Sequence, residues 1–68
     1  MAQTGVVKFF NGERGYGFIK PDDGGRDVFV HRRALPRGQT ALPQGARVSF
    51  ELRQGKKGPE AGNVVHSS

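Results

Sequence analysis

The sequence predicts an all-β chain, a small closed barrel of five strands, and three observations carry that prediction. Short segments rich in β-branched and aromatic residues alternate their side chains with the period of a strand. Clusters of turn-forming residues separate these segments, drawing on 11 glycines and 4 prolines. No segment has the length of a stable helix. At 68 residues the chain is expected to form one domain over 1–68, in the size range where a single core is marginal.

After a frayed start over residues 1–4, Gly5-Val6-Val7-Lys8-Phe9-Phe10-Asn11 reads as the first strand. Phe9 and Phe10 are adjacent and point opposite ways, so one ring enters the core while the other faces out. Asn11-Gly12 signals a turn. Arg14-Gly15-Tyr16-Gly17-Phe18-Ile19-Lys20 and Asp27-Val28-Phe29-Val30-His31 are the next two strands, joined as a hairpin by Pro21-Asp22-Asp23-Gly24-Gly25. Pairing their aliphatics sets Ile19, Val28 and Val30 on the core side. The other face gathers Tyr16, Phe18, Phe29 and His31, edged by Lys20 and Asp27. Arg32-Arg33-Ala34-Leu35 makes a single helical turn stopped by Pro36, with Leu35 tucked against the barrel. Residues 36–45 form a long loop. In Ala46-Arg47-Val48-Ser49-Phe50-Glu51-Leu52-Arg53 the alternation turns Val48, Phe50 and Leu52 inward and Arg47, Ser49, Glu51 and Arg53 to solvent. Gln54-Gly55-Lys56-Lys57-Gly58-Pro59 is a basic, flexible loop before a last short strand over 61–65.

A face of flat rings bordered by charges suits base stacking better than it suits a core. With 34% hydrophobic residues the chain has little apolar surface to leave exposed without reason. Eleven Lys and Arg against six Asp and Glu give a formal charge of +5, which favours a polyanionic partner, most commonly nucleic acid. Every base has a π-face, so such rings hold a single strand with little sequence preference, at roughly 1–3 kcal/mol per base. A duplex hides those faces. Lys8, Lys20, Arg32, Lys56 and Lys57 are candidates for tracking phosphates. The plainer alternative places Phe18 and Phe29 in the core and the charges on an ordinary solvated surface. The absence of cysteine excludes a disulfide framework, thiolate catalysis and cysteine-ligated metal. No apolar run approaches membrane-spanning length and no signal-peptide core is present, so a soluble cytoplasmic protein is expected.

Lys8-Phe9-Phe10-Asn11, Arg14-Gly15-Tyr16-Gly17-Phe18-Ile19, Asp27-Val28-Phe29-Val30-His31 and Gly58-Pro59-Glu60-Ala61-Gly62-Asn63-Val64, in that order, closely resemble the bacterial cold-shock proteins. The resemblance runs over about residues 4–65. It implies a five-stranded antiparallel barrel of the oligonucleotide-binding (OB) type that binds single-stranded RNA and DNA without catalysis, with ribonucleoprotein motifs at 14–19 and 28–32. It also implies an RNA chaperone or transcription antiterminator. Carried over by position, the binding set is Lys8, Phe9, Tyr16, Phe18, Asp27, Phe29, His31 and Lys57. Tyr16, Phe18 and Phe29 emerge from strand alternation as well. The chain departs from the pattern where Phe9 replaces the usual Trp and where Arg32 replaces an aromatic. The 36–42 loop lacks the family's usual Phe and is one residue short. Arg32 joins the binding set because guanidinium is planar and can stack on a base.

Other chemistries have less in the sequence to rest on. Histidine is a common general base and metal ligand, but only His66 accompanies His31, so no metal and no cofactor is expected. Gly12, Gly15 and Gly17 are not followed by Gly-Lys-Ser/Thr or by a helix, so a phosphate-cradling loop fails its context. These glycines instead let the barrel coil and leave room for bases beside Tyr16 and Phe18. A small basic ribonuclease would use His31 with Glu13, Glu51 or Glu60. A barrel binding proline-rich peptides through its aromatics is a third reading, against which the +5 charge favours acidic ligands. A monomer with no small-molecule substrate is expected.

Overall fold

The structure, a computed structural model, describes residues 2–56 and 58–67. Five strands, β1 (Ala2–Asn11), β2 (Tyr16–Pro21), β3 (Val28–His31), β4 (Arg47–Gly55) and β5 (Gly58–His66), close into a barrel in the order β1-β2-β3-β5-β4. Four of the pairings are antiparallel. The fifth, β3 with β5, is parallel and short, joining Phe29 to Glu60 and Val30 to Ala61. This corrects the expectation of an antiparallel barrel throughout. A closed ring with an odd number of strands cannot alternate direction at every seam, and here the short β3–β5 seam carries the exception.

The inward side chains of the predicted strands form the core. Val7, Ile19, Val28, Val30, Val48, Phe50 and Val64 are almost completely buried, with Leu35 and Ala61 beside them. The helical turn is a 3-10 turn over Arg32–Ala34, and Leu35 is buried as expected. Leu42 is also core, although it lies in the long loop over 36–45. That loop is held down at its end by Gly45 N–H donating to Val7 (2.8 Å) and Val7 N–H donating to the Ala46 carbonyl (2.9 Å).

Several boundaries move. Residues 2–4 are not frayed, because β4 supplies a ladder for Ala2, Gln3 and Thr4 opposite Glu51, Phe50 and Ser49. β5 is longer than 61–65 and pairs from Gly58 onward. Leu52 does not join the core and is 42% exposed. It keeps the inward parity of Val48 and Phe50, but the core ends at Phe50, and Leu52 reaches only a shallow cleft at the barrel mouth beside Pro21, Val28 and Pro59. The turn after β1 occurs where Asn11-Gly12 predicts it. Its left-handed residue is Gly15 (φ 80°), while Asn11 Oδ1 accepts from the backbone N–H of Glu13 and Arg14, both at 3.0 Å.

Candidate functional site

The candidate site is the outer face of β1, β2 and β3. In the β2–β3 register Tyr16 lies opposite His31 and Phe18 opposite Phe29, so strand parity alone gathers these four. The first strand contributes by a different device. Val7 pairs with Ile19 and Phe9 with Phe18, so Lys8 is an extra residue, a β-bulge. The bulge lets Lys8 and Phe9 both face outward while Val7 and Phe10 face the core. Phe9, 41% exposed, is therefore the ring on the platform, and Phe10 packs against the core.

The rings form a connected row. Phe9 and Phe18 have centroids 5.5 Å apart, tilted by 41°. Phe18 meets Phe29 edge-on at 5.9 Å and 77°. Phe29 stacks with Tyr16 at 5.8 Å and 22°. Each contact adds on the order of 0.5–1.5 kcal/mol beyond burial and fixes the orientation of its neighbours. Tyr16, Phe18 and Phe29 remain half-buried, which excludes the alternative that Phe18 and Phe29 fill the core. Gly17 does not have the base-side role expected of it. A Cβ there would strike the Phe9 carbonyl oxygen and lie 2.7 Å from Phe10 Cα. The missing side chain makes room for β1 on the inner side, not for a base on the outer side.

Two grooves meet at Phe29 and His31. The first carries Tyr16, Phe18 and Phe29 between Arg14, Arg26 and Asp27. The second runs past Phe29 and His31 between Arg33, Gln54, Lys56 and Glu60. Lys8 Nζ and Asp27 Oδ2 form an exposed ion pair at 2.8 Å, so two members of the binding set are in direct contact. The backbone N–H of Arg33 donates to His31 Nδ1 at 3.2 Å, which caps the 3-10 turn and assigns the neutral ring's proton to Nε2. His31 thus orients the turn while keeping one ring donor. Arg32 extends over Gly15, where a Cβ would sit 2.9 Å from its Nε, and it is Arg33 that lines the second groove. Lys20 is exposed on β2 beyond Phe18. Lys57 lies outside the described residues.

Of the carboxylates considered with His31, Glu60 alone shares a groove with it. Glu51 pairs with Arg53 at 3.2 Å on β4, which holds its carboxyl below the usual range. His66 meets Gln39 (Nε2 to Nε2, 3.0 Å) at the other end of the chain. The grooves add Arg14, Arg26 and Arg33 to the binding set expected from sequence, and Glu60, which sequence raised only as a catalytic carboxylate. Arg14 was recoverable only as the first residue of the 14–19 motif, since the left-handed Gly15 in the turn before β2 breaks strand parity between it and Tyr16. Glu60 was not, because its place beside Phe29 depends on the parallel β3–β5 seam.

Comparisons with known proteins agree with this geometry. Residues 3–67 match the 'cold-shock' DNA-binding domain family. Over 63 residues, covering 91% of this chain and 90% of each relative, the sequence is 56% identical to the cold shock-like protein CspG of Shewanella violacea. On the same coverage it is 54% identical to the cold shock protein CspV of Vibrio cholerae and 49% to CspG of Escherichia coli K12. Among solved structures, drosophila Unr CSD456 superposes with a TM-score of 0.83 at 16% identity, over 100% of this chain and 27% of that one. At that identity the likeness concerns the fold.

Proposed function

The chain belongs to the cold-shock domain family, whose members bind nucleic acid without catalysis, and from that premise we propose that the row of rings on β1–β3 is where it binds single-stranded RNA and DNA. The observation that carries this reading is the continuous set Phe9, Phe18, Phe29 and Tyr16, held at 5.5–5.9 Å from ring to ring on an outer face. Bases stack along the row. Phosphates are met by Arg14 and Arg26 on one groove and by Arg33 and Lys56 on the other. Lys8, Asp27, His31, Arg32 and Lys57 complete the binding set. Lys8 and Asp27 offer hydrogen-bonding groups beside Phe9, and His31 offers its Nε2–H.

The protein acts as one domain and as a monomer in the cytoplasm, with no cofactor, metal or small-molecule substrate. Holding single strands by their faces prevents them from pairing, which is the chemistry of an RNA chaperone and of antitermination. Titrating fluorescent single-stranded RNA, single-stranded DNA and a duplex, each at two salt concentrations, tests the reading. Both single strands should bind and weaken with salt, and the duplex should bind far less. Duplex binding as tight as single-strand binding would overturn it.

A further inference from the structure

An acidic side chain on the floor of a cationic groove calls for an explanation, and Glu60 is in that position. It is half-buried beside Phe29, its partner across the parallel seam, in the groove that Arg33, Lys56 and His31 also line. Its position is fixed from below: a Cβ on Gly55 would collide with Glu60 Oε1 and lie 3.2 Å from its Cβ. The side chain therefore lies along the β4–β5 hairpin at a point where only glycine leaves space.

A surface ion pair would be the ordinary role for such a residue, and its cross-strand neighbour is engaged elsewhere. Arg53 is the cross-strand partner of Glu60 in the β4–β5 register, yet its guanidinium turns to Glu51 at 3.2 Å and lies over Gly62. The ion pairs among the described residues join Lys8 to Asp27, Arg47 to Asp22 and Arg53 to Glu51, and none includes Glu60. The contrast with Asp27 is informative. Asp27 is the acidic group of the first groove and is neutralised by Lys8 at 2.8 Å, whereas the acidic group of the second groove has no such ion pair among the described residues.

A carboxylate repels phosphate, so a strand entering this groove must place its backbone along Arg33 and Lys56 and turn a base edge toward Glu60. An ionised carboxylate only accepts hydrogen bonds, and its two oxygens match a pair of parallel donors. Guanine presents such a pair on its Watson–Crick edge, N1–H beside the N2 amino group. Cytosine and adenine present one donor next to an acceptor. Uracil and thymine present one N–H between two carbonyl oxygens, which the carboxylate repels. We propose that Glu60 makes the second groove a guanine-selective subsite, so that a surface otherwise indifferent to sequence reads one base. The proposal rests on the single-strand binding argued above.

The test walks a single guanine through an otherwise all-uridine heptamer and measures affinity at each position. One position should bind roughly tenfold tighter than the all-uridine strand, the discrimination a bidentate pair supplies. Replacing that guanine by inosine, which stacks similarly but lacks the N2 amino group, should remove most of the gain. Glu60→Gln, nearly isosteric and so expected to fold normally, should abolish the guanine advantage. It should also tighten binding of the all-uridine strand, because a negative charge leaves the groove. A guanine effect absent at every position, or one that survives either inosine or Glu60→Gln, overturns the subsite while leaving single-strand binding intact. Failure of the all-uridine strand and every guanine variant to bind would overturn the binding reading and this proposal together.

Discussion

Phe18, Phe29 and Val30 lie on one hairpin, yet they act on different equilibria. Phe18 and Phe29 face outward and touch other rings, whereas Val30 is fully buried opposite Gly17. Phe18→Ala and Phe29→Ala should each weaken single-strand binding by roughly 1–3 kcal/mol, one stacked base, with a smaller effect on stability. Val30→Ala should do the reverse, costing on the order of 1–3 kcal/mol of stability by leaving a cavity and little in affinity once folded. Paired denaturant melts and binding titrations check both, and an unfolded Phe18→Ala beside a silent Val30→Ala would invert the assignment of faces. These residues were legible because a period of two divides a hairpin into faces with no further information. Lys8 was less so, since only the bulge explains how it shares a face with its neighbour Phe9. The place of Arg33 in the groove was not legible, because the 3-10 turn after His31 breaks the alternation and exchanges it with Arg32 there.

Among the elements, the least predictable joins are those between segments distant in sequence. Alternation identified β4, but not that its outer stretch would pair with Ala2–Thr4 or run past the core at Leu52. One polar node ties β1, β4 and the β2–β3 loop together. Thr4 Oγ1 and Arg47 Nη2 both donate to Asp22 Oδ2 at 2.6 Å, while Asp22 N–H donates back to the Thr4 carbonyl at 3.0 Å. The Thr4 hydrogen bond, followed by that from Arg47, lowers the Asp22 pKa from its ordinary 3.8. The folded state therefore binds fewer protons than the unfolded chain at acid pH. The stability this contributes is complete above the ordinary aspartate value and is lost as pH falls through the lowered one. Asp22→Asn should accordingly lower the melting temperature slightly at neutral pH and flatten its decline below about pH 4. Thermal melts of both proteins across that range provide the comparison. A decline as steep in Asp22→Asn as in the unchanged protein would remove the node from the acid response.

For the molecule as a whole, the formal +5 matters less than where the charge sits. Asp22 and Glu51 neutralise Arg47 and Arg53, which line neither groove, while Arg14, Arg26, Arg33 and Lys56 surround the rings. The sequence supplied the net charge, but this sorting depends on which strands become neighbours in the closed barrel. It makes a prediction that net charge alone does not. On a single strand, the logarithm of affinity should fall with the logarithm of salt by about 0.7 for each phosphate neutralised. If Arg33 and Lys56 each meet one phosphate, Arg33→Gln/Lys56→Gln should flatten the slope by about 1.4. Arg47→Gln/Arg53→Gln removes the same formal charge from two arginines outside the grooves and should leave the slope nearly unchanged. Its affinity should change only through the weak field of distant, screened charges, since separations beyond about 8–10 Å count for little at ordinary ionic strength. Measuring both double variants against one fluorescent oligonucleotide over a salt series separates the alternatives. Equal flattening in the two would mean that the protein attracts nucleic acid by its overall charge, and that the groove cations have no privileged contact with the strand.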